Sequence, residues 1–177
     1  MVKKEKVTQK ERIYTGEFLS LEKWHTILPN NRSAIREIVI PQNAVGIVPV
    51  DEKGQIHLIR QARPAVDDIL YEIPAGVIDA NEAVEETARR ECSEEIGLCP
   101  RALIKLITYY HAEGYTTGIM TLFLGTELKP CNPLKRDADE ILEHISISFD
   151  EALQWVHQGK FKDSKSMLGI LLAQRSL

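Results

Sequence analysis

Apolar and polar positions along the chain group into short strand-like blocks first and helical blocks last. Residues 44–50 and 55–62 are apolar runs separated by Asp51-Glu52-Lys53-Gly54, a turn ending in glycine, and this arrangement predicts a hairpin. Residues 69–73 read as a short third strand, and 102–110 and 118–126 as two more. Over 143–149 the chain alternates through His144, Ile145, Ser146, Ile147 and Ser148, as a half-buried strand does. Residues 81–96 carry no Gly or Pro and predict a helix. Asn81 is its expected N-cap, Glu82, Glu85 and Glu86 load its first turn, and Gly97 sits where a left-handed C-terminal cap belongs. Asp150 can cap a helix through Gln158 that stops at Gly159, and Ser164 or Ser166 can start a last helix reaching Gln174. This order suits an α/β class in which a mixed sheet lies between helices.

The central helix is unusual in what its inner stripe carries. At about 100° per residue, Val84, Ala88, Glu91 and Glu95 share one face, with Glu94 beside them, so the apolar seam continues as carboxylates. Carboxylates in the last turn oppose the helix dipole and repel one another, the more so when partly buried. A positive group must offset them, and a hard divalent cation, Mg2+ or alternatively Mn2+, prefers such oxygens together with water and phosphate oxygens. The competing reading is a solvated acidic face paired with Arg89 and Arg90. Arg90 lies between Glu86 and Glu94, where its fork can orient the carboxylates from behind.

Composition narrows the class. With 177 residues and 44% hydrophobic content, the chain has the material for one domain spanning its whole length. A net charge of −4 leaves no basic footprint for nucleic acid. Cys92, Cys99 and Cys131 are odd in number and form no CxxC, so they are expected to be plain thiols, and zinc spacing is absent. The N-terminal MVKKEKVTQKER has no apolar h-region and no run of about 18 apolar residues occurs, from which a cytoplasmic protein without a membrane partner is expected.

The sharpest signal is a spacing: Gly76, Glu82, Arg90-Glu91, Glu94-Glu95, then Gly97-Leu98. At about 7% usage per residue, these positions would coincide by chance on the order of once in 10^8 start points or fewer. The run resembles the Nudix box, and the resemblance implies the Nudix fold, an α/β/α sandwich. It also implies hydrolysis of a diphosphate linked to a further group, with bound divalent metal. The metal ligands it implies are Glu91, Glu94, Glu95 and the carbonyl of Ala75, just before the glycine. Gly76 itself, after Pro74-Ala75, is expected to turn a strand into the loop before the helix.

The likeness extends past the box. Residues 38–40, Val-Gly-Ile-Val-Pro at 45–49, Ile-Arg-Gln-Ala-Arg at 59–63, Tyr-Glu-Ile-Pro-Ala-Gly at 71–76, Arg36-Glu37 and Gly159-Lys160 are similar to the ADP-ribose and nucleoside diphosphate sugar pyrophosphatase branch. That branch implies a homodimer in which residues 1–42 form the dimerising arm and 43–177 the core. It implies Arg36 and Arg63 on phosphate or sugar, and Glu37 and Glu72 on ribose or base or supporting other contacts. The base that activates water is expected on the acidic stretch 135–141, with Glu140 first, Asp139 and Asp137 as substitutes, and Glu95 as rival. One departure bears on specificity. ADP-ribose enzymes typically carry Pro-Ser-Pro-Gly after the box, followed by an aromatic residue and an acid, whereas residues 111–118 here read His-Ala-Glu-Gly-Tyr-Thr-Thr-Gly. Without those prolines and the later acid, a broader nucleotide-sugar range including GDP-mannose is expected. Tyr115 can stack on a base or pack in the core. Dinucleoside polyphosphate or nucleoside triphosphate hydrolysis, a non-catalytic nucleotide-sugar sensor, and RNA decapping are the competing functions.

Overall fold

Lys6–Thr15 (β1), Leu19–Ile27 (β2) and Ser33–Pro41 (β3) form an antiparallel sheet in that order. The structure, a computed structural model, describes residues 1–131 and 141–177. These fall into two compact units, residues 1–43 with 110–119, and residues 44–109 with 120–177. In the first unit, Val39 on β3 donates its N–H to the Tyr115 carbonyl at 2.8 Å and accepts from Thr117 N–H at 3.1 Å, which ties the segment 111–118 to the sheet. Tyr115 is 58% exposed, so of its two expected roles core packing is excluded.

The second unit carries the strands Ala44–Pro49 (β4), Gln55–Arg63 (β5), Asp68–Glu72 (β6) and Ala75–Val77 (β7), then the helix Val84–Ile96 (α1). Leu98–Tyr110 (β8), Ile119–Pro130 (β9), Leu142–Ser148 (β10) and the helices Phe149–His157 (α2) and Ser164–Ala173 (α3) follow. A four-stranded mixed sheet runs β7-β4-β9-β8, with β4 antiparallel to β7 and parallel to β9. A second, antiparallel sheet runs β10-β5-β6.

The hairpin expected from 44–62 is therefore not a ladder. Its turn forms as read, with Gly54 at φ 72° donating to the Asp51 carbonyl, but β4 and β5 share only the isolated bridge Val50–Ile56. Each strand then joins a different sheet, because β4 is flanked on both edges by β7 and β9 and β5 by β10 and β6. The turn residues are local, whereas the ladder partners lie up to 93 positions away, as in the Gln55–Ser148 pair of β5 and β10.

Side-chain alternation then builds two cores. Val45, Ile47, Ile59 and Phe123 meet Ala88, Cys92 and Ile96 of α1. Val48, Leu58, Ile73, Leu122 and Leu124 point the other way, toward Ala152 of α2, Phe161, and Ile170 and Ala173 of α3. The sheets thus lie between α1 and the α2/α3 pair, the α/β/α sandwich expected. Each fully buried Ile or Leu contributes about 1.5–3 kcal/mol through removal from water.

Two local expectations change. Helix α1 starts three residues after Asn81, which takes a left-handed conformation (φ 69°), while Ala83 is the N-cap and its N–H is accepted by the Glu86 carboxylate at 3.4 Å. Glu82 is recruited elsewhere, as described below, so the turn before the helix is shaped by the site rather than by an Asn cap. Gly97, by contrast, caps the C-terminus in the left-handed region, donating to the Ser93 carbonyl. The cysteines also differ from the reading as plain thiols: Cys99 and Cys131 are joined as a disulfide with Cα atoms 5.8 Å apart, and Cys92 alone is a buried thiol. Cys99 lies at the start of β8 and Cys131 just past the end of the neighbouring β9, and the Cys131 N–H bonds the Gly97 carbonyl, a proximity that spacing along the chain does not reveal. No helix among the described residues is long and apolar enough to cross a membrane.

Candidate active site

The carboxylate stripe of α1 faces β7, and the point of closest approach is Gly76. A Cβ built there would fall within the Glu91 carboxylate, overlapping both of its oxygens. Gly76 lies inside the short strand Ala75–Val77 rather than at a turn, so the residue is glycine because a carboxylate occupies the space of a side chain, not because the chain must bend. One residue earlier, the Ala75 N–H donates to Glu95 at 3.2 Å. Glu91 and Glu95 are both buried.

Arg90 gathers the rest. Its Nε donates to Glu82 at 2.9 Å, Nη1 donates to Glu91 at 2.7 Å and Glu94 at 2.9 Å, and Nη2 donates to Glu82 and to the Val77 carbonyl. These contacts raise its pKa, first through Glu82, so it stays a cation at every accessible pH. Arg89 takes no such part and donates to the carbonyls of Pro100 and Arg101. The expected orienting role of Arg90 and the competing salt-bridge reading thus share a residue: one guanidinium pairs with box carboxylates and docks them on the main chain of β7.

Glu82 binds this cluster from the loop before α1, accepting from Arg90 and from the Thr87 hydroxyl at 2.8 Å. The Arg90 hydrogen bond, foremost, brings its pKa down from 4.5 to about 2, and its side chain is only 17% exposed. Since the folded value lies below the unfolded one, the unfolded chain binds the extra proton in acid. The Glu82 contribution to stability is complete above about pH 4.5 and is lost as the pH falls toward 2. In acid titrations followed by circular dichroism, Glu82→Gln should show a weaker loss of stability than wild type between pH 4.5 and 2. Parallel curves for the two proteins would deny Glu82 that role.

A second cluster adjoins along the chain. Glu72, at the end of β6, is 1% exposed and accepts from Arg63 Nε at 2.7 Å and Nη2 at 2.8 Å, and also from Lys165. Burial works against its ionisation, yet the Arg63 hydrogen bonds and the Lys165 charge hold its pKa below the ordinary value. Of the ribose, base and supporting roles expected for Glu72, this burial leaves the supporting one. The Arg63 pKa is raised, first by Glu72, and the Glu95 charge adds to it, so the two clusters share an electrostatic field. Lys165 and its partner Asp163 were not singled out from sequence; Asp163 is legible as an N-cap, but a pairing across 93 positions leaves no local trace.

Arg36 and Glu37 lie on β3 in the other unit, where Arg36 pairs with Glu5 at 2.7 Å and Glu37 is exposed. Glu140, Asp139 and Asp137 lie outside the described residues.

Among the described residues no three His, Cys, Asp or Glu side chains form a ready-made metal cage. The donor chemistry nevertheless fits a hard cation: carboxylate oxygens from Glu91, Glu94 and Glu95 on one helical edge, beside main chain that glycine leaves accessible. Two carboxylates there already draw on a guanidinium, consistent with a site whose negative charge requires compensation.

Residues 40–167 match the NUDIX domain family model. The chain belongs to the Nudix family. A Bacillus subtilis (strain 168) protein named ADP-ribose pyrophosphatase is 32% identical over 171 residues, covering 96% of this chain and 92% of that protein. A Yersinia enterocolitica protein named GDP-mannose pyrophosphatase is 31% identical over 150 residues, covering 79% of this chain and 78% of its own length. The fold agrees with a solved structure titled ADP compounds hydrolase, with a TM-score of 0.90, 23% identity, and coverage of 100% and 96% of the two chains. This chain is accordingly a Nudix hydrolase of the ADP-ribose and nucleotide-sugar pyrophosphatase branch.

Proposed function

We propose that this Nudix hydrolase cleaves the diphosphate bond of nucleoside diphosphate sugars, ADP-ribose and GDP-mannose among them, in the presence of Mg2+ to release a nucleoside monophosphate and a sugar phosphate. The observation that carries the reading is the Glu91 carboxylate lodged in the space of the missing Gly76 side chain. It brings an acidic helix edge against the strand that holds Ala75. Relatives whose names specify ADP-ribose and GDP-mannose support the substrate class.

Glu91, Glu94, Glu95 and the Ala75 carbonyl would hold Mg2+, with Mn2+ as the alternative. When bound, such a cation neutralises charge on the diphosphate and makes a water easier to deprotonate. Arg90 keeps Glu91 and Glu94 aligned, so less reorganisation is needed when substrate arrives. Arg63 offers the edge of its guanidinium not used by Glu72 to a phosphate or sugar oxygen. Arg36 and Glu37 are assigned to substrate contact on the resemblance. Glu140, or Glu95 in its place, takes the proton from water.

A homodimer is part of the proposal. In the first unit β1 is exposed along its length, and Val7, Ile13, Phe18, Leu19 and Ile35 are exposed apolar residues of the kind that a partner copy covers. Sedimentation equilibrium should return twice the chain mass; a monomer at all concentrations would refute it. We place the protein in the cytoplasm, where the Cys99–Cys131 disulfide would be open to reduction.

The test is a chromatographic hydrolysis panel with and without Mg2+, spanning ADP-ribose, GDP-mannose, other nucleotide sugars, diadenosine polyphosphates, nucleoside triphosphates and capped RNA. Monophosphate release from several nucleotide sugars, abolished by EDTA, is the expected outcome. Turnover confined to polyphosphates or capped RNA would overturn the substrate class and leave the box chemistry standing. Tight binding of a nucleotide sugar without cleavage would make the protein a sensor.

A further inference from the structure

The buried Glu72 carboxylate has more partners than holding Arg63 requires. Its Oε1 accepts from Arg63 Nε and its Oε2 from Arg63 Nη2, which already completes a bidentate pair. Lys165 then adds a second cation on Oε2 from the first turn of α3. That lysine is only 13% exposed and is itself held by Asp163 at 2.9 Å, while Asp163 accepts from Ser166 N–H at 3.0 Å as the helix cap. Ser166 closes the circuit: it is fully buried, and its hydroxyl accepts from the Ile73 N–H at 2.9 Å, one residue beyond Glu72. The start of α3 is thus fastened to the end of β6 at two adjacent points. Arg63, by contrast, is 40% exposed, and among the described residues its Nη1 has no hydrogen-bond partner.

We propose that Lys165 is a positioning residue for substrate binding: by fixing the plane of the Glu72 carboxylate, it holds the Arg63 fork in one orientation, with Nη1 presented to an anionic phosphate or to a sugar hydroxyl. The inference rests on the nucleotide-sugar reading for its ligand, though not for its geometry. An arginine with its fork already locked loses less freedom when it binds an oxyanion, so the arrangement acts on affinity. Removing Lys165 leaves Glu72 buried with one cation in place of two and its carboxylate plane no longer pinned from α3. The Arg63 fork would then turn together with the carboxylate it is bonded to, and substrate would lose its contact with Nη1 while the box carboxylates stayed as they are.

The experiment combines steady-state kinetics on ADP-ribose with the arginine Nε–H signals of the full chain in 15N nuclear magnetic resonance, where the Arg63 signal is identified by its loss in Arg63→Lys. Lys165→Met should raise KM about tenfold with kcat within about twofold, and Lys165→Arg should restore most of the affinity. Adding Lys165→Met to Arg63→Lys should cost little beyond the single Arg63 substitution, since both act through one contact. The wild-type Arg63 Nε–H should exchange slowly with solvent, and in Lys165→Met it should broaden or exchange faster. Effects that multiply in the double variant, a kcat loss with unchanged KM, or an Arg63 signal indifferent to Lys165→Met would each overturn the proposal. Thermal unfolding checks that Lys165→Met folds; if it does not, Lys165→Gln takes its place with the same expectations. Should neither variant fold, the wild-type signal decides, and exchange as fast as that of a free surface arginine would refute the locked fork. If the wild type hydrolyses no nucleotide sugar, the substrate reading fails by itself, while the exchange measurement still decides what Lys165 does to Arg63.

Discussion

Glu95→Gln should abolish Mg2+-dependent turnover while leaving the fold intact. Glutamine keeps the size of the side chain and an oxygen that can still accept the Ala75 N–H, so the buried packing against β7 survives. What is lost is the negative charge, on the residue that also adds to the field around Arg63. Glu95 is assigned both a share of the cation and, as the rival to Glu140, the proton from water. On the order of a 100- to 1000-fold fall in kcat is therefore expected, comparable to removing one preorganised electrostatic group elsewhere. The melting temperature should stay close to wild type, and Mg2+ should protect the variant against unfolding less than it protects the parent. Wild-type rates in Glu95→Gln would remove this residue from the chemistry.

Gly76→Ala is expected to be nearly as damaging through a different cause. The added methyl would claim the volume of the Glu91 carboxylate, and the nearest obstacles are the carboxyl carbon and both oxygens. The side chain could move only by leaving its bond with Arg90, or by pushing β7 away from α1 and out of its pairing with β4. Overpacking of this kind costs about 1–3 kcal/mol. A displaced ligand carboxylate adds a rate loss on the order of 100-fold. The double variant Gly76→Ala/Glu91→Ala separates the two effects, because removing the carboxylate should recover stability without recovering activity. If Gly76→Ala alone were as stable and active as wild type, the close approach would not govern the site.

Much of the site was legible because it is written along one helix. The box spacing, the stripe Val84-Ala88-Glu91-Glu95 and the Gly97 cap depend on a 3.6-residue period and on neighbours a turn away. Arg90 could be placed beside Glu94 by the same rule, and the structure records that pair at 2.9 Å. The N-terminus of α1 departs from the expected one because Asn81 has the chemistry of a cap without serving as one. The observed turn instead delivers Glu82 to Arg90 and leaves Asn81 in the left-handed region. From the sequence Gly76 implies a bend, a local cause, whereas the structure assigns its requirement to a side chain from the helix that follows it.

Sequence alone determined which residues form the acidic helix, where the helix stops, and that it lies among strands with the remaining helices last, because each of these follows from periodicity and from cap chemistry within a few residues. Tertiary structure decided the rest. It sent β4 and β5 to different sheets despite a well-formed turn between them, brought Cys99 to Cys131, and set Lys165 on Glu72 from far along the chain. These choices depend on which apolar faces can be buried together and which buried charges can find partners. Both are properties of the assembled core, and no local stretch of the chain contains them.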